Sequence, residues 1–174
     1  MLTIRKAVAE DAPQLSTMGN ASYRHHFAHL WRNADELALF LQQEYSVESL
    51  RQSLAAAEQH WIIAESSHPV GFAKYSYQQR IDGDGRIGTL LHKLYLMPDE
   101  TGHRYGERLF SAIEAMAKEN GEAWLWLEVL ADNPAARRFY ERQGMKHVKD
   151  TTFHSASQQS TLHVLPNRFE RNYV

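Results

Sequence analysis

The sequence predicts an α/β fold, with one mixed central β-sheet of about six to seven strands flanked by helices. A single strand pattern is followed by helical patterns, then by an antiparallel run of strands. After that run, strand and helix patterns alternate, which is typical of a sheet covered by helices. With 174 residues and no repeat or linker, the chain is expected to form a single domain over residues 1–174.

The first part of the chain contains one strand and three helices. Residues 2–7 alternate as a strand does, and a helical pattern then runs from Glu10 through residue 30, with a weak point at Gly19. Asn33 and Glu36 have the spacing of a capping box and predict the start of the second helix. Ser46 predicts the cap of a third helix, over residues 47–59.

The middle and last parts read as strands separated by turns and two helices. Strands are predicted over residues 60–66, 70–78 and 87–97, with a hairpin signal at residues 82–85. An amphipathic helix follows, and residues 123–130 form a nearly continuous apolar run, expected of a strand covered on both faces. A short helix starts after Asn133, a strand covers residues 145–153, and the tail is β-rich.

Composition excludes several classes of function. Lys plus Arg number 19 against 21 for Asp plus Glu, so no basic surface for nucleic acid is expected. The absence of cysteine removes disulfides, thiolate catalysis and cysteine-ligated zinc. No apolar run approaches the roughly 20 residues that span a bilayer, and no signal core is visible, so we expect a cytoplasmic protein without membrane contact. His25 and His29 have the spacing of a helical metal pair but lack a third ligand, so we interpret them as solvated and expect no metal.

Tyr140 stands in the stretch "NPAARRFYERQGM". Asn133 and Pro134 favour a helix start, and Gly144 favours its end. Ala136, Phe139 and Tyr140 then share one apolar face. From these residues alone, Tyr140 is either a core aromatic or a functional phenol.

The stretch "KLYLMPDETGHRYGERLFSAIE" predicts a strand, a glycine-containing loop and a helix. Free amides at a helix start, together with the helix dipole, form an anion site. This unit resembles the pyrophosphate motif of the GNAT acyltransferases. Thr101 stands for the family's Arg or Gln, Arg104 for its first Gly, and Gly106 matches its last position. Arg104 adopts a positive φ less easily than glycine, but it adds a charge near the phosphates.

The stretch "LEVLADNPAARRFYERQGM" resembles the closing motif of the same family. The matching positions are Asn133, Ala136, Phe139, Tyr140, Gly144 and Met145. The two motifs together cover roughly residues 90–152, and an earlier helix and hairpin extend the resemblance over most of the chain. The resemblance implies a sheet splayed between its fourth and fifth strands.

The resemblance also implies acetyl-CoA as co-substrate. The implied coenzyme-binding residues are Leu94, Tyr95, Leu96, Met97, Gly102, His103, Arg104, Tyr105, Gly106, Glu107, Arg108, Asn133 and Arg137. Tyr140 would protonate the departing thiolate, since a phenol with a pKa of about 10 is protonated at neutral pH. No single base stands out from the residues: His92 and Glu128 are the candidates, and a base acting through water is equally open. As an acid in an otherwise apolar strand, Glu128 is expected to be a buried carboxylate, acting either as the base or as a structural acid held by a salt bridge or hydrogen bond. The early helix implies acceptor-site residues Tyr23, His26 and Phe27.

The leading hypothesis is therefore an N-acetyltransferase that acts on a small primary amine by direct attack, similar to the polyamine-acetylating branch. The alternatives are a non-catalytic acyl-CoA sensor and a protein N-terminal or lysine acetyltransferase. A nucleotide-dependent dehydrogenase is disfavoured because the glycine loop follows a meander and has no acidic ribose ligand nearby. The acceptor amine, the base and the oligomeric state stay open, with a homodimer among the options.

Overall fold

The computed structural model describes residues 1–81, 85–100 and 102–169. The strands are β1 (Thr3–Lys6), β2 (His60–Glu65), β3 (Pro69–Arg80), β4 (Ile87–Leu96), β5 (Trp124–Leu130), β6 (Lys149–His154) and β7 (Gln159–Arg168). The helices are α1 (Ala12–Phe27), α2 (Ala34–Tyr45), α3 (Val47–Ala55), α4 (Tyr105–Glu119) and α5 (Pro134–Arg142). Residues 82–84 of the predicted hairpin turn, Thr101 of the predicted loop and residues 170–174 of the tail lie outside the described residues.

The strands form one mixed sheet in the order β1-β2-β3-β4-β5-β7-β6, which confirms the predicted α/β class. β1 and β2 pair antiparallel, as do β5 with β7 and β6 with β7, whereas β4 and β5 pair in parallel. The parallel ladder joins residues 89–91 to residues 125–127. This short ladder agrees with the splay that the sequence predicts between the fourth and fifth strands.

The chain divides into two compact units. The first contains Met1–Lys74 and Lys93–Ala112, and the second contains Tyr75–His92 and Ile113–Val174. β3, β4 and α4 each contribute residues to both units. The single domain that the sequence predicts stays a prediction.

The first unit contains α1, α2 and α3 together with β1, β2 and the first part of β3. Its fully buried side chains include Leu15, Leu50, Ile62, Phe72, Leu109 and Phe110. The weak point predicted at Gly19 is wrong, because α1 continues through it without a break. A Cβ at Gly19 would lie 2.0 Å from Tyr45 Cδ1, so glycine is needed there to admit the tyrosine ring.

The second unit has its core around β5 and β7. Its buried side chains include Ile81, Ile113, Leu125, Trp126, Val164 and Leu165. Trp126 also donates a hydrogen bond from Nε1 to the carbonyl of Gln79, at 3.2 Å, which satisfies the indole inside the core.

Local signals set most helix ends. Asn33 Oδ1 accepts from the amides of Asp35 and Glu36, and Ser46 Oγ accepts from the amide of Ser49, which confirms both predicted caps. α3 ends at Ala55, earlier than predicted, and Ala56 is already extended. Among the described residues, no helix is both long and apolar enough to cross a membrane.

Candidate active site

The loop before α4 has the backbone of an anion site. Gly102 has φ 89° and Arg104 has φ 59°, so both are left-handed. The amide of Arg108 donates to the carbonyl of Arg104 at 3.2 Å, which opens the helical ladder. The amides just before Arg108 have no carbonyl one turn earlier in the helix, and they carry the positive end of its dipole.

The side chains of this loop leave its outer surface open. Gly102, His103, Arg104 and Glu107 are exposed, whereas Gly106 is buried in the first turn of α4. An exposed guanidinium beside a helix N-terminus adds a strong phosphate donor. Arg108 is partly engaged elsewhere, because its Nη2 donates to the carbonyl of Leu2 at 3.4 Å.

The end of β4 divides its backbone groups between two sides. The Met97 amide donates to the carbonyl of Val70 at 2.9 Å, towards β3. Alternate residues of an antiparallel strand direct their groups to opposite sides, so those of Leu94 and Leu96 are directed away from β3. The amides of Leu94 and Leu96 are therefore directed away from β3, as a coenzyme lying alongside β4 would need. The other two predicted amides, of Tyr95 and Met97, are directed towards β3.

The predicted acceptor residues lie together on α1 beside the end of β4. Tyr23 and Phe27 are buried, with their ring centroids 6.5 and 5.7 Å from that of Tyr95. His26 is half-buried, and its Nε2 lies 3.3 Å from the carbonyl oxygen of Leu96. Burial lowers the pKa of His26. Trp31 Nε1 donates to the Tyr23 hydroxyl at 3.1 Å, so this phenol is already an acceptor.

A charged pair next to these aromatic rings was missed in the sequence. Lys93 Nζ lies 2.7 Å from Glu44 Oε1, and only 10% of the Lys93 side chain is exposed. The ammonium also lies 5.1 Å from the centroid of the Tyr45 ring. The available signal was a lysine in the mostly apolar strand stretch "LHKLYL", since a buried lysine needs a counter-charge.

In the second unit, the closing motif begins at Asn133, which caps α5, and places Tyr140 on that helix. Asn133 Oδ1 accepts from the amide of Ala136 at 3.3 Å, and Gly144 has φ 96°, which confirms the predicted start and end of this helix. The Tyr140 side chain is half-buried, and burial raises the pKa of its phenol. Arg137 Nε lies 3.1 Å from Glu141 Oε1.

The two candidate bases are both exposed. His92 Nε2 lies 2.9 Å from Ser76 Oγ. The expectation that Glu128 is a buried carboxylate is wrong. Glu128 lies on the same strand face as Trp126. That face is buried at Trp126 but exposed to solvent at Glu128. The desolvation argument for Glu128 therefore does not apply.

The left-handed loop and helix start of the first unit, and the capped α5 of the second, are features of an α/β protein with a candidate anion site. A sequence model described as the acetyltransferase (GNAT) family matches residues 23–145, and the chain belongs to this family. No curated protein matches the chain in a sequence search.

Solved structures share the fold at low identity. PaiA N-acetyltransferase from Thermoplasma acidophilum, in complex with coenzyme A, has a TM-score of 0.78 and 22% identity, covering 97% of this chain and 99% of that one. YncA from Salmonella typhimurium, with acetyl-CoA, has a TM-score of 0.66 and 17% identity over 100% and 97% of the two chains. The ribosomal-protein-S18-alanine N-acetyltransferase from Escherichia coli has a TM-score of 0.70 and 17% identity over 100% and 99%.

Proposed function

We propose that the protein transfers an acetyl group from acetyl-CoA to a primary amine. The observation that carries this proposal is the backbone of the loop before α4, where Arg104 holds the left-handed conformation at the family's glycine position. Family membership and the coenzyme-bound neighbours support acetyl-CoA as the donor.

Each unit supplies its own groups in this proposal. In the first unit, the loop amides and Arg104 bind phosphates, and the amides of Leu94 and Leu96 hydrogen-bond an extended coenzyme arm. In the second unit, Tyr140 holds a proton on its phenol, and Asn133 offers its amide nitrogen, since Oδ1 already caps α5.

The proposed reaction is direct. The amine nitrogen forms a bond to the acetyl carbon, the carbon–sulfur bond breaks, and the thiolate takes the Tyr140 proton. The nitrogen gives its proton to water or to His92, so that the products are the acetamide and coenzyme A.

A small polyamine is the proposed acceptor class, on the strength of the sequence resemblance. A polyamine needs carboxylates to bind its ammonium groups. Glu44 is one candidate, but it already pairs with Lys93. The other candidates, Asp35, Glu48 and Asp99, are exposed to solvent. The S18-alanine acetyltransferase neighbour makes a protein N-terminal amine the second candidate. The cytoplasm stays the proposed location, from the sequence alone.

An amine panel tests this function. The purified protein would be given acetyl-CoA with spermidine, a lysine peptide or an alanine-starting peptide, and free thiol would be measured. Because the chain has no cysteine, all thiol comes from coenzyme A. We expect amine-dependent release with at least one acceptor. Saturable acetyl-CoA binding with no release for any amine would favour the sensor alternative.

Tyr140→Phe tests the proton donor. The ring is retained and only the hydroxyl is lost, so kcat should fall by roughly 10² to 10⁴, the range for general acid–base catalysis. The Kd for acetyl-CoA should change little, because other residues hold the phosphates. Wild-type kcat in a correctly folded variant would contradict the acid role.

A further inference from the structure

Two histidines and one aspartate meet where β6 pairs with β7. Asp150 of β6 and His163 of β7 are direct partners in the antiparallel register. His147 precedes β6 and is brought close because the amide of Val148 donates to the carbonyl of Val164 at 3.1 Å. All three residues belong to the second unit.

The three side chains converge on one point. Asp150 Oδ1 lies 2.7 Å from His147 Nε2 and 2.6 Å from His163 Nδ1. The two imidazole rings have centroids 4.7 Å apart. One ligand atom from each residue lies within 4.8 Å of the other two. His163 is mostly buried at 14% side-chain exposure, whereas Asp150 is open to solvent at 52%.

We propose that His147, Asp150 and His163 bind a divalent transition-metal ion, with Zn²⁺ as the first candidate. Imidazole nitrogen and carboxylate oxygen are zinc ligands, and two imidazoles favour zinc, copper, nickel or iron over magnesium or calcium. Three protein ligands with water in the fourth position form a tetrahedral zinc site.

The geometry requires only side-chain adjustments. Zinc–ligand bonds of about 2.0–2.1 Å place tetrahedral ligand atoms about 3.3 Å apart. The two contacts with Asp150 would therefore lengthen by about 0.6–0.7 Å, and the two nitrogens would approach that same separation. Asp150 and His163 lie on paired strands, so their backbone is already ordered. Metal binding would therefore cost little further conformational entropy.

The sequence predicts no metal, because the helical pair His25 and His29 lacks a third ligand; the site at β6 and β7 is not visible in the sequence, since His163 is distant along the chain from His147 and Asp150. Asp150 and His163 lie 13 residues apart and meet only through the β6–β7 register. His25 and His29, the pair with metal-binding spacing in the sequence, are both exposed. His29 lies in a short 3-10 turn beyond the end of α1. Without a metal, the competing description is a carboxylate shared between two hydrogen-bonding imidazoles.

Zinc titration of the full chain separates these descriptions. The protein would be treated with EDTA, exchanged into buffer and titrated with ZnCl₂ by calorimetry, with melting followed in parallel. We expect one saturable Zn²⁺ per chain and a higher Tm, because the ion ties β6 to β7. His147→Ala and His163→Gln should each weaken the affinity at least 10- to 100-fold.

The double variant His25→Ala/His29→Ala is the matched control and should keep the wild-type affinity. His147 is exposed, so its replacement by alanine tests the site even if the change at His163 unfolds the protein. The proposal is overturned by a lack of saturable binding, by unchanged affinity in a folded His147→Ala variant, or by loss of binding in the control.

Discussion

Arg104 is one of three described residues other than glycine that have a positive φ, together with Gln78 and Asp99. Its φ of 59° is a backbone conformation that costs a residue other than glycine about 1–3 kcal/mol. The side chain is exposed, so the cost is not offset by burial of apolar surface. A charged residue that keeps a glycine's conformation next to a helix start is consistent with a role for its guanidinium towards an anion.

Arg104→Gly should therefore separate stability from affinity. Glycine relieves the strain but adds conformational freedom to the unfolded chain, so the net free energy of unfolding should rise by up to about 1 kcal/mol in urea denaturation. Loss of the guanidinium should weaken coenzyme A binding by about tenfold or more, at 1.5–3 kcal/mol for a charged hydrogen bond.

Gly102→Ala is the opposite control for Arg104→Gly. Nothing lies within 4 Å of the added carbon, but φ is 89°, so stability should fall through the backbone alone. A less stable Arg104→Gly variant would mean that the arginine makes a stabilising contact.

His26 should give stability a pH dependence. Its folded pKa lies below the ordinary value because of burial, so the unfolded chain binds the proton more readily. Stability is then full above about pH 6.5 and falls as the pH drops below that value. His26→Gln keeps a donor for the Leu96 carbonyl and should reduce the loss of Tm between pH 7.5 and 5.5. A residual slope is expected from His60, whose pKa is also lowered by burial. An unchanged slope would assign the effect to other groups.

At the scale of the elements, α1 depends on one close approach. It lies against α2 through the face of Gly19, where the Tyr45 ring occupies the space of a side chain. The helix is also held to β4, since Ser22 Oγ donates to the Leu96 carbonyl at 3.2 Å. Both contacts fix the position of the helix that carries Tyr23, His26 and Phe27.

Gly19→Ala tests this contact against helix propensity. Alanine favours a helix interior by about 0.8–1 kcal/mol, but its Cβ would overlap the Tyr45 ring. Overpacking typically costs about 1–3 kcal/mol, so the net free energy of unfolding should fall. Gly85→Ala, where no atom lies within 4 Å of the added carbon, should be close to neutral in the same denaturation assay. A stabilised Gly19→Ala variant would show that the ring moves aside easily.

The elements also show what the sequence could predict. The caps at Asn33, Ser46 and Asn133 were predictable because each acts within three residues along the chain. The contacts of Lys93 with Glu44 and of His26 with Leu96 span 49 and 70 residues, so they depend on which helix lies on which strand. The exposure of Glu128 depends on how far a neighbouring element covers β5, which an apolar strand pattern does not record.

At the scale of the whole molecule, acetyl-CoA should stabilise the fold. A ligand at 100 times its Kd adds about 2.7 kcal/mol to the free energy of unfolding. For a protein of this size, that corresponds to a rise in Tm of roughly 5–11 °C. Gly106→Val should abolish the rise, because a side chain in the first turn of α4 blocks the approach to the helix amides. No shift in the wild-type protein would count against coenzyme binding.

The division into two units gives each of them its own fluorescence signal. Trp31 and Trp61 belong to the first unit, and Trp124 and Trp126 belong to the second, which accounts for all four tryptophans. Replacing one pair by phenylalanine leaves emission from a single unit. Superimposable unfolding curves from the two paired variants would then identify one cooperative domain, whereas separate midpoints would identify two. Emission recorded during coenzyme binding would show which unit responds first.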